Sequence, residues 1–228
     1  RCVLCRRITV DLRMVKYAVS WCLDVWCLNF NSSFWGRILW QLLDEAESPE
    51  VTRFLRAVDV RIDGFRVEKA PEWRGQRVFV RHEVDGKGYE LRLSEESAGT
   101  QKLMGLAAYL MTALERGATV VVDELDAKLH PKLLRYVILL FKDPEVNKSG
   151  AQLIFSSQDV STMRNDVFRR DEIWFAARGE GEASQLWSLA DIHEANGNLV
   201  SKNAAFDKQY LSGRYGADPY LTRIEEWD

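Results

Sequence analysis

The sequence predicts an α/β protein: a mostly parallel sheet with flanking helices, plus an antiparallel β-hairpin region. Three observations carry that expectation. Residues 119–122 (TVVV) form a short apolar run rich in β-branched residues, the pattern of a strand buried on both faces. Residues 151–155 (AQLIF) form a second buried-type run, and between the two Pro131 opens a helical pattern that ends before Pro144. Both runs stop abruptly in polar residues, Asp123-Glu124 and Ser156-Ser157-Gln158-Asp159. Only a shared sheet edge would put those residues in one place, so the two strands are expected to be neighbours or near neighbours.

The remaining elements follow in order. Residues 1–48 hold all four cysteines and Trp21, Trp26, Trp35 and Trp40. Residues 17–30 are apolar but interrupted by Asp24 and Asn29. They are too short to span a bilayer and lack a signal peptide's small-residue cleavage site, so a buried helix is expected. Residues 34–43 continue with helical spacing. Ser48-Pro49 marks a boundary, and Pro49 suits the first turn of a helix with Val51, Phe54, Leu55 and Val58 on its apolar face. Val60, Ile62, Phe65 and Val67 alternate with polar residues, and Gly64 among them suggests a bulge. Residues 77–84 and 89–93 also alternate around Asp85-Gly86-Lys87-Gly88, a hairpin signal. A helix then carries Leu103, Leu106, Ala107, Leu110 and Leu114 on one face and closes at Gly117. Residues 171–176 and 183–189 read as strands around a turn near Gly179, and a helix near residues 204–211 precedes the tail.

Composition narrows the function classes. A net charge of −3 gives no general attraction to nucleic acid or anionic membrane. The cysteines lie only between Cys2 and Cys27, which is no framework for the whole chain and implies a reducing, cytoplasmic setting. Cys2-x-x-Cys5 with Cys22 and Cys27 is loosely spaced for zinc, so small buried or idle thiols are expected. The first residue is Arg1 rather than Met, which suggests a fragment, a processed form or a trimmed chain.

Two stretches carry chemistry. Adjacent carboxylates at the carboxyl edge of a buried strand are costly without a cation or proton nearby. Asp123 and Glu124 therefore suggest Mg²⁺ and a water to activate; the plainer reading is acids that favour the next helix's N-terminus. Ser97, Gly99 and Thr100 sit at a helix start, where free N–H groups, hydroxyls and the positive dipole end suit a phosphate. Ordinary capping by Ser or Thr with Gly in the turn is the plainer reading there. His130 is expected to cap or pack beside Pro131.

Taken together the order is Ser97-Ala-Gly-Thr-Gln-Lys, a helix, TVVVDELD, His130-Pro131 and IFSSQD. This resembles the C-terminal half of P-loop-type, ABC-like ATPases. It is closest to the AAA-type ATPase proteins of bacterial abortive-infection and related anti-phage systems. The ATPase domains of the overcoming-lysogenisation-defect nucleases are more distant look-alikes. The resemblance spans residues 49–228 and leaves residues 1–48 unmatched. It implies ATP and Mg²⁺ as cofactors. In it Ser97, Gly99, Thr100 and Gln101 match the signature motif, and Asp123 and Glu124 match the Walker B pair. Leu125-Asp126 matches the D-loop and residues 156–159 the switch segment, while Tyr210-Leu-Ser-Gly-Arg-Tyr-Gly216 looks like the family's C-terminal end. Asp123 would then hold Mg²⁺ and Glu124 would be the general base. Gln158 would sense the γ-phosphate, where the family usually has His, and Asp126 would link two sites.

One element of the family pattern has no match in the sequence. No G-x-x-x-x-G-K-[ST] occurs, and Gly86-Lys87 has none of the preceding glycines. In such ATPases two protomers sandwich ATP, one giving the phosphate loop and Walker B, the other the signature helix. The resemblance therefore implies self-association or a partner chain carrying the phosphate loop, a nuclease or toxin as effector, and little activity from the chain alone. The other function class open to it is a non-catalytic interaction or regulatory module that keeps the ATPase dimer surface. An unrelated α/β hydrolase is disfavoured, because no Gly-x-Ser-x-Gly elbow occurs and His82, His130 and His193 have no evident nucleophile.

Overall fold

In the computed structural model, which describes residues 25–29, 49–58, 62–68, 77–178 and 183–217, the acidic strand is the centre of a parallel sheet. Strand β5 (Thr119–Asp123) lies between β1 (Val25–Asn29) and β6 (Gln152–Phe155), parallel to both. Val122 stands opposite Phe155. The expected adjacency of the two strands therefore holds, with their polar ends on one edge.

Strand β1 corrects the expected helix at residues 17–30. Residues 25–29 are extended and pair with residues 119–123. A continuous apolar run has no period that separates helix from strand, and Val25 and Trp26 favour the sheet once a partner strand is available. The rest of that expected helix, the one at residues 34–43, and Cys2, Cys5 and Cys22 lie outside the described residues.

Among the described residues three helices lie around this sheet and the antiparallel strands. Helix α1 (Pro49–Ala57) opens on Pro49 and buries Val51, Phe54 and Leu55. Helix α2 (Ala98–Arg116) is capped by Ser97 and ended by Gly117, whose φ of 73° is left-handed. A Cβ on Gly117 would stand 2.4 Å from the Ser149 carbonyl oxygen, so the site needs glycine for space as well as for backbone conformation. Helix α3 (Pro131–Lys142) opens as expected on His130, whose Nδ1 accepts from the Lys132 amide at 3.2 Å.

The expectation of a mostly parallel arrangement holds only for one of the sheets. Strands β2 (Ile62–Glu68), β3 (Arg77–Val84) and β4 (Lys87–Arg92) form an antiparallel sheet. Its register shifts between Ile62 and Gly64, at the expected bulge. The hairpin turn is only Asp85-Gly86, both at positive φ (51° and 72°), so Lys87 and Gly88 already belong to β4. At the foot of this hairpin His82 Nε2 lies 2.6 Å from Glu96 Oε1, which ties the sheet to the residue before Ser97. A short 3₁₀ turn (Arg170–Glu172) replaces the start of the expected strand at residues 171–176. Strands β7 (Trp174–Arg178) and β8 (Ser184–Ser188) then pair antiparallel. The turn expected near Gly179 lies outside the described residues.

Helix α4 (Phe206–Leu211) and the tail after it are fixed to this last hairpin by aromatic side chains. Phe175 is buried and stacks on Tyr210 at 5.7 Å between centroids, with Tyr215 at 5.3 Å and Trp187 at 6.2 Å. Trp187 Nε1 donates to the Tyr215 carbonyl, and the Tyr215 hydroxyl donates to Gln209 Oε1 at 2.7 Å. Burial pushes the Tyr215 hydroxyl up to about 12, so it stays protonated as a donor. Phe175→Ala is expected to cost about 3–5 kcal/mol, the usual loss for a buried Phe. It should also expose the tail after Ser212 to limited proteolysis. A variant with a wild-type melting midpoint would show that the tail is held elsewhere.

Candidate functional site

At the carboxyl edge of β5 the chain makes a tight turn held by Ser156, the residue after β6. Its amide donates to the Val122 carbonyl at 3.0 Å, and its carbonyl accepts from the Leu125 amide at 3.0 Å. Its hydroxyl donates to Asp123 Oδ1 at 2.5 Å and accepts from the Glu124 amide at 2.7 Å. One serine thus engages four consecutive residues and orients the Asp123 carboxylate. Glu124 is left-handed, with φ of 50° and a full side chain, a conformation that costs roughly 1–2 kcal/mol for an L-residue. Such strain persists only where the surroundings over-determine it.

The second holder of this turn is Lys102, on the first turns of α2. It is 4% exposed. Its Nζ donates to the carbonyls of Glu124 (2.6 Å), Leu125 (3.0 Å) and Ala127 (2.8 Å). Burial pulls its ammonium down from 10.5 to about 8, against the opposing pull of Asp126, Glu124 and Asp123. Two further bonds close the turn: Ala127 N–H to the Glu124 carbonyl and Leu129 N–H to the Asp126 carbonyl.

The predicted site residues fall into two groups. Asp123, Glu124, Asp126 and Gln158 come together. Gln158 donates its backbone N–H to Asp126 Oδ2 at 3.2 Å, so the residues after β6 and those after β5 share one edge. Asp126 Oδ1 is buried without a hydrogen-bond partner. Ser97, Gly99, Thr100 and Gln101 form the other group, at the start of α2. Ser97 Oγ accepts from the Thr100 amide at 3.1 Å and lies 2.8 Å from Thr100 Oγ1, which is the capping arrangement. Gln101 Nε2 turns back to the Glu96 carbonyl at 2.8 Å. A Cβ on Gly99 would stand 2.8 Å from the Lys128 carbonyl oxygen, so glycine lets the helix start approach the turn after β5. Gly99 and Lys102 are thus the points at which the two groups meet.

Sequence reasoning placed Ser156 at the shared edge and Lys102 at the end of the Ser97 stretch but gave neither a role in holding the turn. Lys102 lies at helical spacing with Leu106, Tyr109 and Ala113, all buried, so a lysine on the apolar stripe was a readable signal. Ser156 carries no such mark, since its role depends on the β5–β6 register.

The donor set suits a hard cation. Asp123 and Glu124 offer carboxylate oxygens at an open edge. Among the described residues no three His, Cys, Asp or Glu side chains converge to cage a metal. Carboxylate oxygens are the ligands that hard cations such as Mg²⁺ take.

Three stability predictions follow from this geometry. Ser156→Ala leaves the Glu124 amide unpaired and is expected to cost about 1–3 kcal/mol in denaturant unfolding. Glu124→Gly removes the left-handed strain and is expected to gain roughly 1 kcal/mol; a loss instead would mean that the carboxylate itself holds the turn. Between pH 8 and 10.5 the unfolded chain keeps the Lys102 proton and the fold does not. The Lys102 contribution to stability therefore rises with pH across that window, and the buried charge counts against folding below it. Lys102→Met should remove that rise. A wild-type-minus-variant stability difference that stays flat from pH 8 to 10.5 would contradict it.

Among the described residues no helix is long and apolar enough to cross a membrane. No curated protein matches the chain. The family described as "AAA domain, putative AbiEii toxin, Type IV TA system" matches residues 29–164, which include β5, α2, the acid turn and residues 156–159. The chain therefore belongs to this family of AAA, ATPase-type domains.

Proposed function

We propose that the chain contributes the acid pair, the switch segment and the signature helix to a composite ATP site in a bacterial anti-phage defence protein. The observation that supports this best is the shared edge, where Asp123 and Gln158 are both tied to the turn through Ser156 and Asp126. A phosphate loop, absent from this sequence, comes from another segment or chain, and a second protomer completes the sandwich. The setting is cytoplasmic, and a nuclease or toxin is the effector that turnover controls.

When bound, Mg²⁺ neutralises charge on the phosphates. Asp123 anchors it, with its carboxylate aimed by the Ser156 hydroxyl. Glu124 accepts a proton from the attacking water. Gln158 hydrogen-bonds the γ-phosphate or the water but carries no proton, unlike the His usual in the family. Ser97, Gly99 and Thr100 face the nucleotide of the opposite protomer, and Asp126 connects the two sites. A second reading, an interaction module without turnover, draws support from the contacts that already occupy Ser97 and Gln101.

The chain alone is expected to bind Mg²⁺·ATP feebly, and calorimetry showing micromolar binding would point to a different phosphate site. In complex with the polypeptide that supplies the phosphate loop, Glu124→Gln should abolish turnover while leaving ATP bound and the dimer closed. The loss should be about 10²–10⁴-fold, the usual contribution of a general base. Asp123→Ala should weaken Mg²⁺-dependent binding itself, and Gln158→His should leave turnover equal or higher. Single-turnover hydrolysis and dimer mass separate these outcomes. Wild-type turnover in Glu124→Gln would favour the interaction module.

A further inference from the structure

We propose that Lys102 is a positioning residue for the acid turn: its ammonium sets the backbone path that aims Glu124 and joins that path to the start of the signature helix. The proposal rests on the ATPase reading above and assigns a role to a residue outside its catalytic set.

The geometry is specific. Three carbonyls within four residues converge on one nitrogen, at 2.6, 3.0 and 2.8 Å. Carbonyls that point together repel one another, and this convergence needs a donor with several hydrogens at its focus. Lysine offers three on one nitrogen. Glu124, whose carbonyl makes the shortest of these bonds, is also the residue in the left-handed region. Its amide is held by Ser156 and its carbonyl by Lys102, so both peptide units flanking its Cα are fixed. With both fixed, the Cα–Cβ direction is fixed too, and only side-chain rotation remains to the carboxylate. Lys102 also stands five residues beyond the cap Ser97 on the same helix. A displacement of the helix start is therefore delivered directly to the Glu124 carbonyl, without passing through the sheet. The signature end and the base are coupled by one side chain.

The test uses the full chain in complex with the polypeptide that supplies its phosphate loop, with Mg²⁺·ATP as the probe. Lys102→Met is expected to lower kcat by on the order of 10²-fold, the scale of an ångström-level misplacement of a catalytic group, with KM unchanged. Lys102→Arg, which keeps charge and several donors, should recover part of that loss. Amide exchange should quicken at Ala127 and Leu129, whose bonds close the turn. Thermal melting checks that each variant is folded. If Lys102→Met does not fold, Lys102→Gln, with two donors and no charge, takes its place, and an intermediate kcat is expected. A folded Lys102→Met or Lys102→Gln with wild-type kcat overturns the proposal, as does a loss confined to KM. A wild-type complex that hydrolyses no ATP refutes the ATPase reading and this proposal with it. An active wild type with an unchanged variant refutes this proposal alone.

Discussion

Burying an ammonium costs several kcal/mol unless its hydrogens find acceptors, and the path of the chain after β5 is the one that supplies them. Lys102 sits on a helix face otherwise made of leucine, alanine and tyrosine, so it cannot reach water without leaving the core. The turn answers with three carbonyls. Every neighbouring feature is compatible with that demand. Glu124 takes a left-handed conformation, Gly99 omits a side chain beside Lys128, and Ser156 holds the amides that face the other way. Removing the Ser156 hydroxyl or the Lys102 ammonium would leave main-chain groups of the turn without these partners.

Much of this was legible in the residues. The runs at 119–122 and 151–155 could be placed because strands buried on both faces are continuous in apolar character. Helices α2 and α3 could be placed because Gly117 and Pro131 punctuate them. Asp85-Gly86 declared its hairpin through the positive φ both residues tolerate. Where the expectations failed, the missing information was long-range. Residues 25–29 become a strand only because β5 offers an unpaired edge more than ninety positions away. The separate antiparallel sheets depend on which edges meet, and local pattern does not record that. Ser156 was expected at that edge, but its bonds to Asp123 and Glu124 follow only from the β5–β6 register.

The candidate site divides along the same line. Its acids were readable from chemistry alone, since paired carboxylates at a strand end need a reason. Its order of motifs pointed to the family that residues 29–164 match. Of the parts that hold those acids in place, Lys102 left a mark as a lysine on an apolar stripe, but the carbonyls it binds, 22 to 25 positions away, did not. The tail motif shows the reverse. Tyr210 and Tyr215 are carried in a segment that looks like a family signature, and in the fold they pack against Phe175. A stretch singled out for its resemblance to a motif can therefore serve packing.

Helix α2 has a glycine against a foreign carbonyl at each end: Gly99 beneath Lys128 and Gly117 beneath Ser149. Near the second contact, Ser149 Oγ donates to the Glu115 carbonyl at 2.8 Å. The helix is thus wedged lengthwise between two loops that belong to the same sheet. Sliding along its own axis would drive backbone into backbone at one end or the other. A side chain at either glycine would push the helix off its seat against the loop that holds Lys128 or the loop that holds Ser149.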